Sequence, residues 1–313
     1  MLILLRKTAF VWIASVVLFG KATPAAAVDN IVVSIKPIHS LVSTITKGIS
    51  KPFLLLQGQS SPHTYSLRPS DAKKLQNAKL IFWIGADLEK FLIKPLETLG
   101  KRAAIVTLSK LKGLTRLKYR NKKDFKLKLK SSRNHNHEAV DQHFWLDPVN
   151  AIEFSHQIET ALKGVDFQNA EIYSTNAVKL RKHLITLIKT TTLRFQPLKQ
   201  RPFIVFHDAY QYFENRFGLS ATGSVVTQTD LPPSAKHISK IQKRIKNTGS
   251  DCIFIEPQFN PKLAILVTRG TNAKLSTIDP LGSNLKVGPE LYSKLIENVS
   301  KAFEDCLSIS LKN

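Results

Sequence analysis

Apolar residues along this chain gather into short, nearly unbroken runs separated by amphipathic stretches. Ile31–Ile35, Phe53–Leu56, Leu80–Ile84 and Ala103–Leu108 are such runs, and each reads as a strand buried on both faces. Ile38–Lys47, Asp71–Ala78 and Asp87–Leu99 lie between them and read as helices, the second with Ser70 as its N-cap. Strand and helix in alternation, with continuous apolar strands, predict a parallel sheet covered on both faces. From Lys110 to Gln142 the periodicity fades and polar residues take over. Residues 110–142 therefore read as a long loop, of a kind that compact domains usually keep for function. Order returns at His143-Phe144-Trp145-Leu146.

A different pattern follows. Tyr173, Ala177, Leu180, Leu184 and Leu187 recur at alternating steps of four and three, the apolar stripe of a helix. Pro197 ends it. Phe167–Gln196 then reads as one helix of roughly 45 Å, long enough to cross a domain. Beyond it the alternation restarts, with strands at Phe203–Phe206, Ser224–Thr227, Cys252–Ile255 and Leu275–Ile278. Helices are expected at Ala209–Phe217, Ser234–Asn247, Pro261–Gly270 and Pro289–Leu307. The expected fold is α/β: two lobes with parallel sheets flanked by helices, bridged by one long helix, with a cleft between them where a small ligand can bind. The lobes span 28–163 and 199–313, and the linker helix 164–198.

The chain opens with Arg6 and Lys7, an apolar run from Ala9 to Gly20 and then Ala25-Ala26-Ala27. That is the form of a secretory signal, residues 1–27, cleaved after Ala27. Its apolar run is too short to serve as a mature anchor. An exported protein without stable membrane insertion is expected. The chain carries 46 Lys and Arg against 23 Asp and Glu, a formal charge of +23, which falls to +20 when Arg6, Lys7 and Lys21 leave with the signal. Between Lys101 and Arg133 there are thirteen basic residues and one acid, Asp124. Such a field attracts nucleic acid, but no stacking platform or recognition motif accompanies it. Export also argues against that partner, so the run reads as a solvated basic loop. Cys252 and Cys306 are the two cysteines; in an oxidising compartment they read as one disulfide. The rival reading, two thiolate metal ligands, lacks a close Cys-x-x-Cys pair.

Chemistry concentrates at turns next to strands. His63 follows the Phe53 run, His143 opens His143-Phe144-Trp145-Leu146, His207 follows Phe203–Phe206, and Asp279 follows Leu275–Ile278. Ligands are expected in open α/β sheets beyond the carboxyl ends of strands. Singly, each His reads as a packing or surface residue. Together, three imidazoles and one carboxylate from four distant segments suit zinc in a tetrahedral site. Asp208 and Glu256 are placed to orient a ligating imidazole. His39 follows the first strand but is left out of the site, and His156, His183 and His237 read as surface or packing residues. Three His with an open position also describe a zinc hydrolase, yet the chain has no His-Glu-x-x-His and no evident Ser or Cys nucleophile motif.

Several motifs carry a family resemblance: Ser34-Ile35-Lys36-Pro37, Pro62-His63-Thr64-Tyr65-Ser66-Leu67-Arg68-Pro69-Ser70-Asp71, Phe144-Trp145-Leu146, Phe206-His207-Asp208-Ala209-Tyr210, Glu256-Pro257-Gln258-Phe259 and Asp279-Pro280-Leu281-Gly282. In order, over nearly all of 28–313, they resemble the high-affinity zinc-binding proteins of bacterial ABC uptake systems. The resemblance implies a monomeric periplasmic receptor that carries Zn2+ as its transported ligand to an ABC permease with its ATPase. It implies metal ligands at His63, His143 and His207, with Asp279 or a water as the fourth, and a disulfide between Cys252 and Cys306. Manganese-type binding proteins and metal-binding adhesins share the fold, but manganese-type relatives place a carboxylate where this chain has His207. Zinc-type relatives often carry an acid where this chain has Pro62. Their mobile loop is often rich in His and acid, whereas here it keeps His135 and His137 and is strongly basic, so at most a weak second site is expected there.

Overall fold

The computed structural model describes residues 29–120, 139–199, 201–226 and 233–308. The signal segment 1–27, His135 and His137, and the part of the basic run beyond Arg120 lie outside the described residues. Two four-stranded sheets form, both wholly parallel and with the same strand order. The first has β1 (Ile31–Val33) between β2 (Phe53–Leu54) and β3 (Leu80–Trp83), with β4 (Ala104–Thr107) at the edge beyond β3. Val33 pairs with Leu54 on one side and Phe82 on the other. The apolar runs at β1 and β3 are buried along their whole length, as continuous apolar strands require. β4 differs: as an edge strand it keeps a solvent face, and Ile105 is 40% exposed.

Helices α1 (Lys36–Ile45), α2 (Pro69–Gln76) and α3 (Ile93–Thr98) pack around this sheet. Two of them depart from the sequence-based expectation, for reasons of proline geometry. α2 starts two residues earlier than a Ser70 cap implies, because Pro69 takes the first helical position, where its fixed φ is preorganised. Asp71 then accepts from the Arg68 backbone N–H at 3.1 Å. The expected helix 87–99 is broken into a 3-10 turn, Lys90–Leu92, followed by α3. Pro95 has no N–H to donate back to Phe91, so it is accommodated only near a helix start. One helix was not anticipated: α4, Pro148–Val165, capped by Asp147, which accepts from Val149 N–H at 2.9 Å. Its inward stripe of Ala151, Phe154, Ile158 and Leu162 was present in the sequence at helical spacing.

The long helix is α5, Ala170–Phe195, with 3-10 turns at both ends. Its 26 residues extend for roughly 39 Å. Tyr173, Ala177, Leu180, Leu184 and Leu187 all turn inward. It packs on α1 and α4 of the first lobe and reaches α6 (Gln211–Phe217) and α9 (Leu291–Leu307) of the second. In that second lobe, β5 (Phe203–Val205) lies between β6 (Gly223–Ser224) and β7 (Cys252–Ile255), with β8 (Lys274–Thr277) at the edge. α7 (Ala235–Thr248), with its Ser234 N-cap, and α8 (Lys262–Thr268) cover one face.

Each lobe has a small apolar cluster of its own, and the two share a larger one. One apolar cluster runs from Ile31 and Leu41 through Phe154, Leu184 and Phe195 to Phe203, Phe254 and Phe303. Phe303 on α9 sits at the centre of an aromatic group, with Phe203, Phe213 and Phe254 at 5.1, 5.4 and 4.7 Å between ring centroids. Beside it, Cys252 and Cys306 form the expected disulfide, tying β7 to α9. Polar bonds also cross between lobes: Trp145 Nε1 donates to the Pro280 carbonyl at 2.7 Å, and Tyr292 Oη donates to the Trp145 carbonyl at 2.7 Å. Among the described residues no helix is long and apolar enough to cross a membrane.

Candidate metal centre

In each sheet the chain leaves the first strand toward one side and returns on the other, so a crevice opens between β1 and β3 and between β5 and β7. Such a switch point is where α/β sheets hold ligands. In the second lobe it is filled by a matched pair: His207 leaves the end of β5 and Glu256 the end of β7. The His207 Nδ1–H donates to Glu256 Oε1 at 2.7 Å. The loop from β2 to α2 brings His63 across from the other lobe, and His143 arrives just before the 3-10 turn Phe144–Leu146.

The three imidazoles converge through one nitrogen each. His143 Nε2 lies 3.4 Å from His63 Nε2 and 3.3 Å from His207 Nε2. Zinc–imidazole bonds of 2.0–2.1 Å in a tetrahedron require nitrogen separations of about 3.3–3.4 Å. The rings are therefore spaced for one ion. Their tautomers follow from their partners, because a carboxylate only accepts. His143 Nδ1–H donates to Asp141 Oδ1 at 2.7 Å, as His207 does to Glu256. Both Nε2 atoms are then unprotonated and face each other, an arrangement that a shared cation relieves. His143 and His207 are buried, and His63 is partly exposed.

Electrostatics shifts the rings in opposite directions. Burial, and then the adjoining His143 and His207 rings with Lys90, push the His63 imidazole down to about 2, so it is neutral. For His207 burial opposes the charged form, but Glu256 outweighs it and the ring is held above its ordinary value. Trp145 lies 5.4 Å from His143, and Phe259 lies 5.2 Å from His207, between ring centroids. Together with Pro62, Pro280 and Leu281 they wall a cavity of about 10 Å³, room for about one water-sized particle. Three neutral nitrogens in an apolar wall suit a late first-row divalent ion.

Of the residues singled out in the sequence, His63, His143, His207 and Glu256 are brought together. Asp279 is not part of the cluster of ligating atoms found among the described residues; its carboxylate is turned into its own loop, where Leu281 N–H donates to it at 3.0 Å. Asp208 does not orient an imidazole as expected. It pairs with Arg120, which also holds Glu214 at 2.7 Å. That corrects the basic run too, since Arg120 is buried against the second lobe rather than solvated. Asp141 was overlooked, although its position two residues before His143 is the one signal that could have flagged it. His39 packs away from the site, bonded to the Pro52 carbonyl at 2.9 Å. His183 meets Ser293 Oγ at 2.8 Å, and His237 meets the Ser224 carbonyl at 3.2 Å.

Known proteins resemble this chain in sequence and in fold. A family model described as zinc-uptake complex component A, periplasmic, matches residues 31–306. The high-affinity zinc uptake system protein ZnuA of Brucella suis is 41% identical, covering 90% of this chain and 92% of its own length. The protein of the same description from Yersinia pestis is 31% identical over 88% and 91%. A crystal structure of ZnuA superposes with a TM-score of 0.75 at 23% identity, covering 89% of this chain and 98% of that one; at that identity it speaks for the fold. By the span of the family model and the identity to these relatives, the chain belongs to the family of the periplasmic component A of the zinc-uptake complex.

Proposed function

We propose that this chain is the high-affinity receptor that captures Zn2+ in the periplasm and hands it to the permease of an ABC importer. His63, His143 and His207 are the protein ligands of the ion, and Asp141 and Glu256 orient two of the rings. The observation that carries this is the convergence of three ligating nitrogens within 4.8 Å of one another, with His143 Nε2 at tetrahedral zinc spacing from the other two and two of the rings backed by buried carboxylates. Family membership supports the transport role. The signal at 1–27, with cleavage after Ala27, supports export. A hydrolytic enzyme fits less well: a cavity of about 10 Å³ takes the ion and leaves no space for an organic substrate.

Protein purified without chelator should carry one zinc per chain, and excess manganese should not displace it. His63→Ala, His143→Ala and His207→Ala should each weaken zinc by at least about a hundredfold, since each removes a ligand and not merely an outer partner, whose loss costs roughly 10–100-fold. Calorimetric or chelator-competition titration measures this. Wild-type zinc affinity in His207→Ala would overturn the assignment.

A further inference from the structure

Asp279 opens the turn after β8 and is the most heavily engaged carboxylate at the centre. Its Oδ1 accepts from Gln258 Nε2 at 2.7 Å, Leu281 N–H at 3.0 Å and Gly282 N–H at 3.1 Å. Its Oδ2 accepts from Ser283 N–H and from Ser283 Oγ at 2.7 Å. A carboxylate offers about four lone-pair sites, so five donors leave it nothing for a metal. The turn wraps this tightly because Gly282 takes a left-handed φ of 65°, which glycine adopts without strain. It is also fastened from the opposite lobe. Lys36 Nζ donates to the Gly282 and Ser283 carbonyls, and Trp145 Nε1 donates to the Pro280 carbonyl. Freeing Asp279 to reach an ion would dismantle the whole turn.

Gln258 is the group that Asp279 controls. Because a carboxylate only accepts, the amide nitrogen of Gln258 must face Asp279, and its Oε1 must face the other way. That Oε1 is buried and has no hydrogen-bond partner among the described residues, while Gln258 lines the small cavity with the three imidazoles. A buried amide oxygen without a donor is unfavourable and rare. Glu256 Oε2 is also without a partner there, but it adjoins the Tyr210 hydroxyl, likewise unpartnered, and the two can serve each other. Among the described residues Gln258 Oε1 has no hydrogen-bond donor.

We propose that Gln258, held in orientation by Asp279, accepts a hydrogen bond from a water that completes the ion's coordination at His63, His143 and His207. Asp279 is thus a positioning residue and not a ligand. This rests on the zinc-receptor reading above. It also assigns selectivity to the fourth place: three imidazoles and a water present no anionic oxygen to the ion, which disfavours manganese. A water bound to a divalent ion is a strengthened donor, matched here to a neutral acceptor that leaves its protons in place.

The test compares Gln258→Ala, the volume-preserving Gln258→Met and Asp279→Asn with wild type. Zn2+ is titrated against a chelator, and Co2+ is read by its visible absorption. Gln258→Ala and Gln258→Met should each weaken zinc by roughly tenfold, the scale of an outer hydrogen-bond partner, and should alter the cobalt spectrum. Asp279→Asn keeps an amide oxygen for Gln258 but sets an amide nitrogen against the Ser283 N–H, so it should weaken zinc by no more than the Gln258 changes do, roughly tenfold. Wild-type zinc affinity with an unchanged cobalt spectrum in both Gln258 variants would overturn the proposal. So would Asp279→Asn weakening zinc as much as His207→Ala, because Asp279 would then be a ligand. Failure of the receptor reading looks different: zinc binding would be insensitive to the three His→Ala changes themselves.

Discussion

A proton and a zinc ion compete for the same nitrogen, so each ring's proton affinity decides how the site behaves in acid. His63 is held neutral by burial and by the neighbouring rings, and so does not contribute an acid limb. His207 does. Burial opposes its charge, but Glu256 raises it above the ordinary value, which is about 6.5. As pH falls, zinc affinity should begin to drop while the pH is still above 6.5. Glu256→Gln removes the main cause of that rise and leaves burial opposed only by Asp208 and Asp141, so the acid limb should move to lower pH. Affinity at neutral pH should also fall by roughly tenfold. Competition titrations from about pH 8 to about pH 5 check both; a limb that stays in place would mean another group sets it. At this scale the sequence was legible where the chemistry sits at a strand end, as at His63, His207 and Glu256. It was opaque at Asp141 and Gln258. A carboxylate in a polar stretch and an amide after a proline look like solvated side chains until Leu117–Arg120 folds back beside Ala139–Asp141 and the Asp279 turn closes.

Elements were legible in proportion to their periodicity. α5 could be read from its stripe because burial on one face demands it, and that face carries measurable stability. Leu184 is fully buried there. Leu184→Ala should cost about 2–5 kcal/mol in chemical denaturation, with zinc affinity of the folded protein nearly unchanged, since the helix lies behind the site. α3 was overestimated because apolar spacing ignores what Pro95 does to the preceding turn. α4 is marked in the sequence by Asp147-Pro148, a strong start signal. The disulfide closes a separation of 54 residues. Replacing Cys252 and Cys306 by Ser should destabilise the metal-free protein by roughly 4 kcal/mol in the chain-entropy account, read as a shift in denaturation midpoint. No shift would show that aromatic packing around Phe303 alone holds α9 to β7.

At the scale of the molecule, the second lobe is gripped by a residue from the first lobe's basic run. Arg120 bonds both Asp208 and Glu214, and all three side chains are largely buried. Arg120→Met keeps the bulk and strands two buried acids, which should cost roughly 3–5 kcal/mol. The loss should shrink at low pH, where Asp208, raised above the usual carboxylate range by burial, takes up a proton, and thermal melts of the metal-free protein across pH would show it. That clasp was illegible in sequence because a lone arginine in a run of like charges carries no mark of its distant partners.

The core that threads both lobes has a consequence for how the ion leaves. Drawing the lobes apart would unpack Phe154, Leu184, Phe195 and Phe303 together, so the ion's exit does not run through a wide parting of the two halves. His143 and His207 are buried and braced by carboxylates. His63 is partly exposed, on a loop without regular structure between β2 and α2. Residence time then becomes a property of that loop, whose motions run in nanoseconds to microseconds, against microseconds to milliseconds for hinged domains. A recipient that lifts one imidazole away is left with a two-nitrogen half-site, already open and facing it.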